Sequence, residues 1–380
     1  MTSQSSGPRG PISLDDLPIR QDLRGHTPYG APQEHVRIQL NVNENTHPIP
    51  EEVAVDIEAA LADAIRTVNR YPDREFTTLR ESLGEYLGHG LQPTNIWAAN
   101  GSNEILQQFL QAFGGPGRSV LGFRPTYSMH SIIAAGTGTR WIGAERDEEF
   151  RISPETAVAA IERERPDVVF LCSPNNPTGT PLHLDTIVAA YDATDGMVLV
   201  DEAYAEFAPA SLPTALSLLP GRPRLVVTRT MSKAFAFAGA RVGYLAADPA
   251  VTDALRLVRL PYHLSAFTQA AAIAALAHTR EMLAMVDDIK SQRDRLLLEL
   301  PKIGFPVHES WANFVMFSGV ADPHGLFEAL LKRGIIIRDL GLANSLRVTA
   351  GTEAETTEFL DVLAALVHTG EIAVLGRIGA

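Results

Sequence analysis

Cysteine is nearly missing from this 380-residue chain, which has one. A single thiol makes no internal disulfide, so packing and polar pairing must hold the fold, as suits a reducing compartment. That residue, Cys172, closes the apolar run Val168-Val-Phe-Leu-Cys172. A small buried hydrophobe is the expected role there, not a reactive thiol. Basic charge is scarce as well: 32 Lys and Arg stand against 45 Asp and Glu, a formal net charge of -13. An acidic average surface argues against nucleic acid or anionic lipid as a partner, although a local arginine cluster can still bind a small anion. Long apolar stretches are also missing. The longest, Ala270 to Ala277, falls far short of the ~20 residues of a membrane span. The polar start, Met1 to Gly10, lacks the apolar segment of a secretory signal, so a cytoplasmic protein is expected. No Gly-x-Ser-x-Gly elbow and no His-Glu-x-x-His helix occurs, which removes two hydrolase classes and leaves no metal site to expect.

What is present fits a large globular chain. The length allows two to three domains of ~150 residues each, and 45% apolar with 20% charged residues is near the globular average. The first dozen residues, rich in Ser, Gly and Pro, read as frayed. An extended arm follows through Thr27-Pro-Tyr-Gly30 to an Asn-rich loop, Asn41-Val-Asn-Glu-Asn45. Helical spacing runs from Glu51 to Val68 after Pro50, and a second helix is expected over 77–87. The rhythm then changes. Short apolar runs at 119–123, 168–172, 197–200, 225–228 and 242–246 alternate with helix-like stretches at 102–113, 154–163 and 184–191. That is the pattern of an α/β fold with a buried, mostly parallel central sheet. From Ala266 one long Ala- and Leu-rich helical region runs to about Leu300. Beyond it come strand-like 313–317, 335–338 and 346–348 and helices at 323–333 and 353–368, a smaller α+β unit.

In an open parallel sheet, ligands bind beyond the carboxyl ends of the strands. Three successive apolar runs end in Ser173-Pro-Asn-Asn-Pro-Thr-Gly179, Asp201-Glu-Ala-Tyr204 and Arg229-Thr-Met-Ser-Lys233, and Arg241 stands shortly after. Each residue type has a use if the ligand is a phosphorylated pyridine aldehyde. A lysine such as Lys233, flanked by hydroxyls and by the apolar Ala234-Phe-Ala-Phe-Ala238, can form a Schiff base with a carbonyl. Asp201 can keep a pyridine nitrogen protonated, so that the ring acts as an electron sink. Tyr204 and Asn176 can hydrogen-bond a phenolic oxygen, and Thr230, Ser232 and Arg241 suit a phosphate. Asn100-Gly-Ser-Asn-Glu104, before an apolar-periodic helix, adds backbone N–H groups for the same phosphate. Pro125-Thr-Tyr127 can stack an aromatic face on the ring. Any one of these pieces alone reads as a turn, a helix cap or a solvated charge; their order at successive strand ends is what points to chemistry.

These segments, with Thr27-Pro-Tyr29, Leu40 to Asn45, Arg70-Tyr-Pro72, Gly239 to Gly243, Ile337-Arg-Asp339 and Leu346 to Thr349, resemble the fold-type I aminotransferases dependent on pyridoxal 5'-phosphate (PLP). The likeness covers nearly all of the chain. Ser-Lys-Ala-Phe and Asp-Glu-Ala-Tyr narrow it to the histidinol-phosphate subgroup, whereas Asn-Pro-Thr-Gly marks only the superfamily. The resemblance implies an N-terminal arm over 1–34, a small domain from 35–70 and 266–380, and a large PLP-binding domain over 71–265. It implies that Lys233 is the Schiff-base lysine and proton shuttle and that Asp201 pairs with the pyridinium. Asn176 and Tyr204 would bind the phenolate oxygen, Tyr127 would stack on the ring, and Ser102, Asn103, Thr230, Ser232 and Arg241 would hold the phosphate. Tyr71 would reach the cofactor of a neighbouring subunit, which implies a homodimer with shared sites.

The substrates implied are L-histidinol phosphate with 2-oxoglutarate, taken in turn by one pocket in a step of histidine biosynthesis. Arg338 and Arg347 are the implied anion binders, with Tyr29 and Asn45 near the substrate. Departures from the subgroup pattern are small: Met231 stands in place of Leu, Ser102-Asn103 replaces an Asp-bearing turn, and His47 takes the place of a Pro. Rival readings are a broad-specificity aromatic amino-acid aminotransferase, a PLP-dependent decarboxylase, and a non-catalytic PLP-fold regulator.

Overall fold

The computed structural model describes residues 12–30 and 32–375. The Ser-, Gly- and Pro-rich start, with the expectation that it is frayed, lies almost wholly outside them. Strand β1 (Ile38–Gln39) and helices α1 (Glu51–Ile65) and α2 (Thr77–Leu87) lead into a repeating middle section. There β2 (Ile96–Ala99), α3 (Ser102–Phe113), β3 (Ser119–Arg124), α4 (Met129–Thr137), β4 (Arg140–Glu145), α5 (Pro154–Glu164), β5 (Val168–Cys172), α6 (Leu184–Asp192), β6 (Met197–Asp201), β7 (Leu225–Thr230) and β8 (Gly243–Ala247) follow. The rest is α7 (Pro249–Val258), α8 (Ala266–Ala277), α9 (Thr279–Ile303), β9 (Phe314–Phe317), α10 (Pro323–Leu331), β10 (Ile335–Ile336), β11 (Arg338–Asp339), β12 (Leu346–Thr349) and α11 (Glu353–His368).

A seven-stranded sheet in the order β2-β8-β7-β6-β5-β3-β4 forms the centre. Strands β4, β3, β5, β6 and β7 run parallel, and β8 is antiparallel to both of its neighbours. Every residue of β5 is buried, as helices on both faces require of near-continuous apolar strands. Cys172 is 2% exposed and burial raises its thiol well above the ordinary range, so it packs as a small hydrophobe. Register then matters for function. Cys172 lies beside Asp201, and Asp201 beside Thr228, so the parallel strands finish together and their following loops share one edge.

Two differences from the sequence reading have plain causes. The Ala- and Leu-rich stretch is two helices: His278, at φ -112° and ψ 36°, ends α8 and begins α9. Strand β4 escaped notice because it is an edge strand whose residues are mostly part-exposed, so it shows no apolar run. Helix α1 ends at Ile65 and not at Val68. The run at 335–338 is split between two sheets, with Ile335 parallel to Ile38 and Arg338 antiparallel to Arg347. A third sheet, β11-β12-β9, carries that arginine pair. Among the described residues no helix is long and apolar enough to cross a membrane.

Candidate active site

A cavity of about 1370 Å³ opens at the edge where β5, β6 and β7 finish. Lys233, three residues past the end of β7, is part-buried in its wall, and its Nζ donates to the Val42 carbonyl at 3.0 Å. Desolvation, aided by the positive charge of Arg347, lowers the amine to about 8. A lysine so placed has a far larger neutral fraction near neutral pH than an ordinary one, and the neutral form is the one that attacks a carbonyl.

Asp201 ends β6 with its carboxylate 2% exposed. Its Oδ2 lies 3.2 Å from His130 Nε2, and its Oδ1 accepts from the Ala203 N–H at 3.2 Å. His130 sits on the first turn of α4 and Tyr127 lies just before that helix, so one short segment supplies both a cavity-lining phenol and a support for the carboxylate. Tyr204 is fully enclosed: Asn43 Nδ2 donates to its hydroxyl at 2.9 Å and Asn176 Nδ2 approaches at 3.4 Å. Burial pushes the phenol well above its ordinary range, so it stays a hydrogen-bond donor. Tyr127 donates to Asn103 Oδ1 at 3.2 Å and burial lifts it to about 12.

At the other end of the cavity, α3 begins at Ser102 without a side-chain cap. Its first-turn N–H groups and its positive dipole end suit an anion. Ser232 and Thr230 stand beside them, their hydroxyls 2.9 Å apart. Arg241 holds φ +58°, a left-handed conformation that a non-glycine residue adopts only under constraint from its surroundings. The reason is local packing. Gly101, at φ +86°, lies so close to the Arg241 guanidinium that a Cβ would collide with it, and a Cβ on Gly243 would strike the Gly101–Ser102 backbone.

Another part of the cavity wall carries two arginines. Arg338 and Arg347 are opposite partners in the antiparallel β11–β12 ladder. Like charges across such a pair are unfavourable, which an anion between them relieves. Arg347 is 5% exposed; its Nη1 donates to Asn176 Oδ1 at 2.6 Å and its Nη2 to the Asn41 carbonyl at 2.8 Å. Its Nε has no hydrogen-bond partner among the described residues, and burial lowers the group to about 10. Arg338 stacks 5.7 Å from the Tyr29 ring and reaches the Gly30 carbonyl at 3.5 Å, tying the arm to the wall.

Of the residues singled out from sequence, Tyr29, Ser102, Asn103, Tyr127, Asn176, Asp201, Tyr204, Thr230, Ser232, Lys233, Arg241, Arg338 and Arg347 all line this one cavity. Two do not. Asn45 ties its loop to the residue after Lys233, donating to the Ala234 carbonyl at 3.4 Å, and accepts from the His47 N–H at 3.0 Å. Tyr71 is 79% exposed and stacks on Tyr262 with ring centroids 4.4 Å apart. Sequence reasoning passed over Asn43, His130 and the Val42 carbonyl. For His130 the signal was its place three residues after Tyr127, on the first turn of α4.

The donor set fits PLP: a basic, N–H-rich cradle for a phosphate, a buried carboxylate for a pyridine nitrogen, two hydrogen-bonding groups for a phenolic oxygen, and an amine for the aldehyde. Residues 36–363 match the family model described as aminotransferase class I and II. The chain belongs to that family. It is 58% identical over 357 residues to the histidinol-phosphate aminotransferase of Paenarthrobacter aurescens (strain TC1), covering 93% of this chain and 96% of that one. It is 55% identical over 359 residues to the one of Thermobifida fusca (strain YX), covering 94% and 97%. Among solved structures, the histidinol-phosphate aminotransferase of Sinorhizobium meliloti in complex with pyridoxal-5'-phosphate matches with a TM-score of 0.80 and 27% identity, over 88% of this chain and 92% of that one. The fold is that of a PLP-dependent aminotransferase, and the enzyme class is set with it.

Proposed function

We propose that this aminotransferase uses PLP to move an amino group between L-histidinol phosphate and 2-oxoglutarate, giving imidazole acetol phosphate and L-glutamate, a step of histidine biosynthesis in the cytoplasm. The observation that carries the reading is the facing pair Arg338 and Arg347 in the lining of the cavity that holds Lys233. L-histidinol phosphate carries its phosphate on the carbon next to the amine-bearing one, and L-glutamate carries its α-carboxylate at the same place, so one basic wall serves each in turn. The full-length relatives favour this substrate over an aromatic amino acid, whose one anion is a carboxylate and not a phosphate.

When bound, PLP supplies an electron sink for the carbanion at the substrate's α-carbon. The chain's own residues do the rest. Ser102, Asn103, Thr230, Ser232 and Arg241 anchor the phosphate, and Asp201, supported by His130, holds a proton on the ring nitrogen. Asn176 and Tyr204 hydrogen-bond the phenolic oxygen, and Tyr127 covers the ring. Lys233 Nζ takes and returns the α-proton, its lowered affinity matching neutral pH. Tyr29, held by Arg338, closes the entrance against water.

The same reading makes the protein a homodimer with Tyr71 serving the neighbouring site. Exposed Leu257, Leu260, Tyr71 and Tyr262 support this. It also assigns residues 35–70 and 266–380 to a small domain, supported by the β1–β10 pairing that joins the two chain regions. Turnover of L-histidinol phosphate with 2-oxoglutarate by the PLP-loaded protein tests the proposal; failure to form glutamate would end it.

A further inference from the structure

One residue beyond Asp201 lies a group of charged side chains that the proposed mechanism leaves unused. Glu202 follows β6, Arg229 lies on β7 next to Thr230, and Glu206 sits in the short turn after Tyr204. Their side chains are 5%, 12% and 6% exposed, and none of them lines the cavity. Arg229 donates from Nε and Nη2 to Glu202 Oε2 at 3.1 and 2.8 Å, and its Nη1 reaches Glu206 Oε1 at 3.5 Å. Thr214 Oγ1 donates to Glu202 Oε2 at 2.6 Å and accepts from Arg229 Nη2 at 2.9 Å. The Ala215 N–H closes on Glu202 Oε1 at 2.7 Å, and Tyr86 of α2 donates to Glu206 Oε1 at 3.0 Å.

A buried ion cluster of this kind is weak evidence for stability, because apolar residues of the same volume hold a core as well or better. What it supplies is a fixed geometry, since a guanidinium fork accepts its partners only in one plane. The chain positions say which geometry. Each member of the cluster is a near neighbour of a site residue: Glu202 of Asp201, Glu206 of Tyr204, and Arg229 of Thr230 and Lys233.

We propose that Glu202, Arg229 and Glu206 are positioning residues, a brace that locks β6 to β7 and so fixes the Asp201 carboxylate and the Tyr204 hydroxyl relative to the Lys233 amine. The brace touches neither cofactor nor substrate. It rests on the reading of the cavity as a PLP aminotransferase site.

The test uses PLP-loaded Arg229→Lys, which loses the fork, and Thr214→Val, which keeps its shape but loses the hydroxyl's contacts to Glu202, Arg229 and the Leu216 N–H, with Thr214→Ser as the conservative control. Arg229→Lys is expected to lower kcat about tenfold while KM for both substrates stays within about twofold, since a small misplacement costs rate more than binding. The pH midpoint of the bound cofactor's visible absorbance should move by about half a unit, because Asp201 and Tyr204 set it. Thr214→Val should shift both readouts in the same direction by less, about threefold in kcat, and Thr214→Ser should restore them. A folded Thr214→Val or Arg229→Lys protein with wild-type kcat and wild-type absorbance midpoint overturns the brace, whatever its melting temperature. Loss of thermal stability alone in both variants does the same. A wild-type protein that takes up no PLP would instead overturn the reading beneath it, and the absorbance of the wild type separates the two failures.

Discussion

Lys233 is held in the cavity at a cost to folding, and replacing it measures that cost. The amine falls from an ordinary 10.5 to about 8, chiefly by desolvation. At 1.36 kcal/mol per unit, burying the charged amine at pH 7 costs about 3 kcal/mol relative to the unfolded chain. The amine also returns something: its bond to the Val42 carbonyl is worth about 1 kcal/mol. Lys233→Met, which keeps most of the volume, should therefore stabilise the PLP-free protein by about 2 kcal/mol at pH 7. The sign depends on pH. Between about 8 and 10.5 the unfolded chain binds a proton that the folded one does not, so wild-type stability rises through that window. By pH 10.5 the wild-type penalty has gone and only the lost hydrogen bond separates the two proteins. Urea denaturation of PLP-free wild type and variant at pH 7 and pH 10 reads this directly. A Lys233→Met protein that is less stable at pH 7, or whose advantage does not shrink as pH rises, would refute the account of the lysine as a desolvated amine. The same variant should take up PLP without developing the visible absorbance of the wild type.

Two other expectations follow from the site. Gly101→Ala forces a Cβ toward the Arg241 guanidinium from a φ of +86°, so PLP should bind about tenfold more weakly, measured by equilibrium titration of the PLP-free protein. A wild-type affinity would show that Arg241 does not contribute to the phosphate cradle. If Tyr71 serves the neighbouring subunit, mixing inactive Lys233→Ala with impaired Tyr71→Ala protein should restore about a quarter of wild-type activity, because random pairing makes one intact site in each hybrid dimer. No recovery after verified subunit exchange would place Tyr71 elsewhere.

Much of the site was legible because its residues follow apolar strands directly. Asn176, Asp201 and Lys233 each come within a few residues of a buried run, and a parallel sheet brings such ends to one edge whatever the details of packing. The strand register, Cys172 beside Asp201 beside Thr228, was implied by that pattern and not visible in it. What escaped were contacts made across the chain. Asn43 meets Tyr204 over a separation of 161 residues, and no local pattern announces such a meeting. Asn45, its near neighbour in the same Asn-rich loop, donates to the Ala234 carbonyl and not into the cavity, so the choice between them is made by backbone conformation: Asn43 has φ +57°. His130 packs against Asp201 from the far side of the cavity lining and carries no motif of its own. The break at His278 is equally silent, because the residues on both sides favour helix. Net charge misleads in another way, since -13 describes the whole chain while Arg338, Arg347 and Arg241 place positive charge in one cavity of an acidic protein.

The central claim is that this cavity is built for a donor with a phosphate at one end. Its most direct test is the ratio of kcat/KM for L-histidinol phosphate to that for L-phenylalanine, measured on the PLP-loaded protein with 2-oxoglutarate as acceptor and repeated in Arg338→Ala. The account predicts a clear preference for histidinol phosphate that Arg338→Ala reduces by about a hundredfold, the loss of one charge-assisted anion contact of about 2 to 3 kcal/mol. Equal use of the two donors by the wild type, or a preference that survives Arg338→Ala, would contradict it.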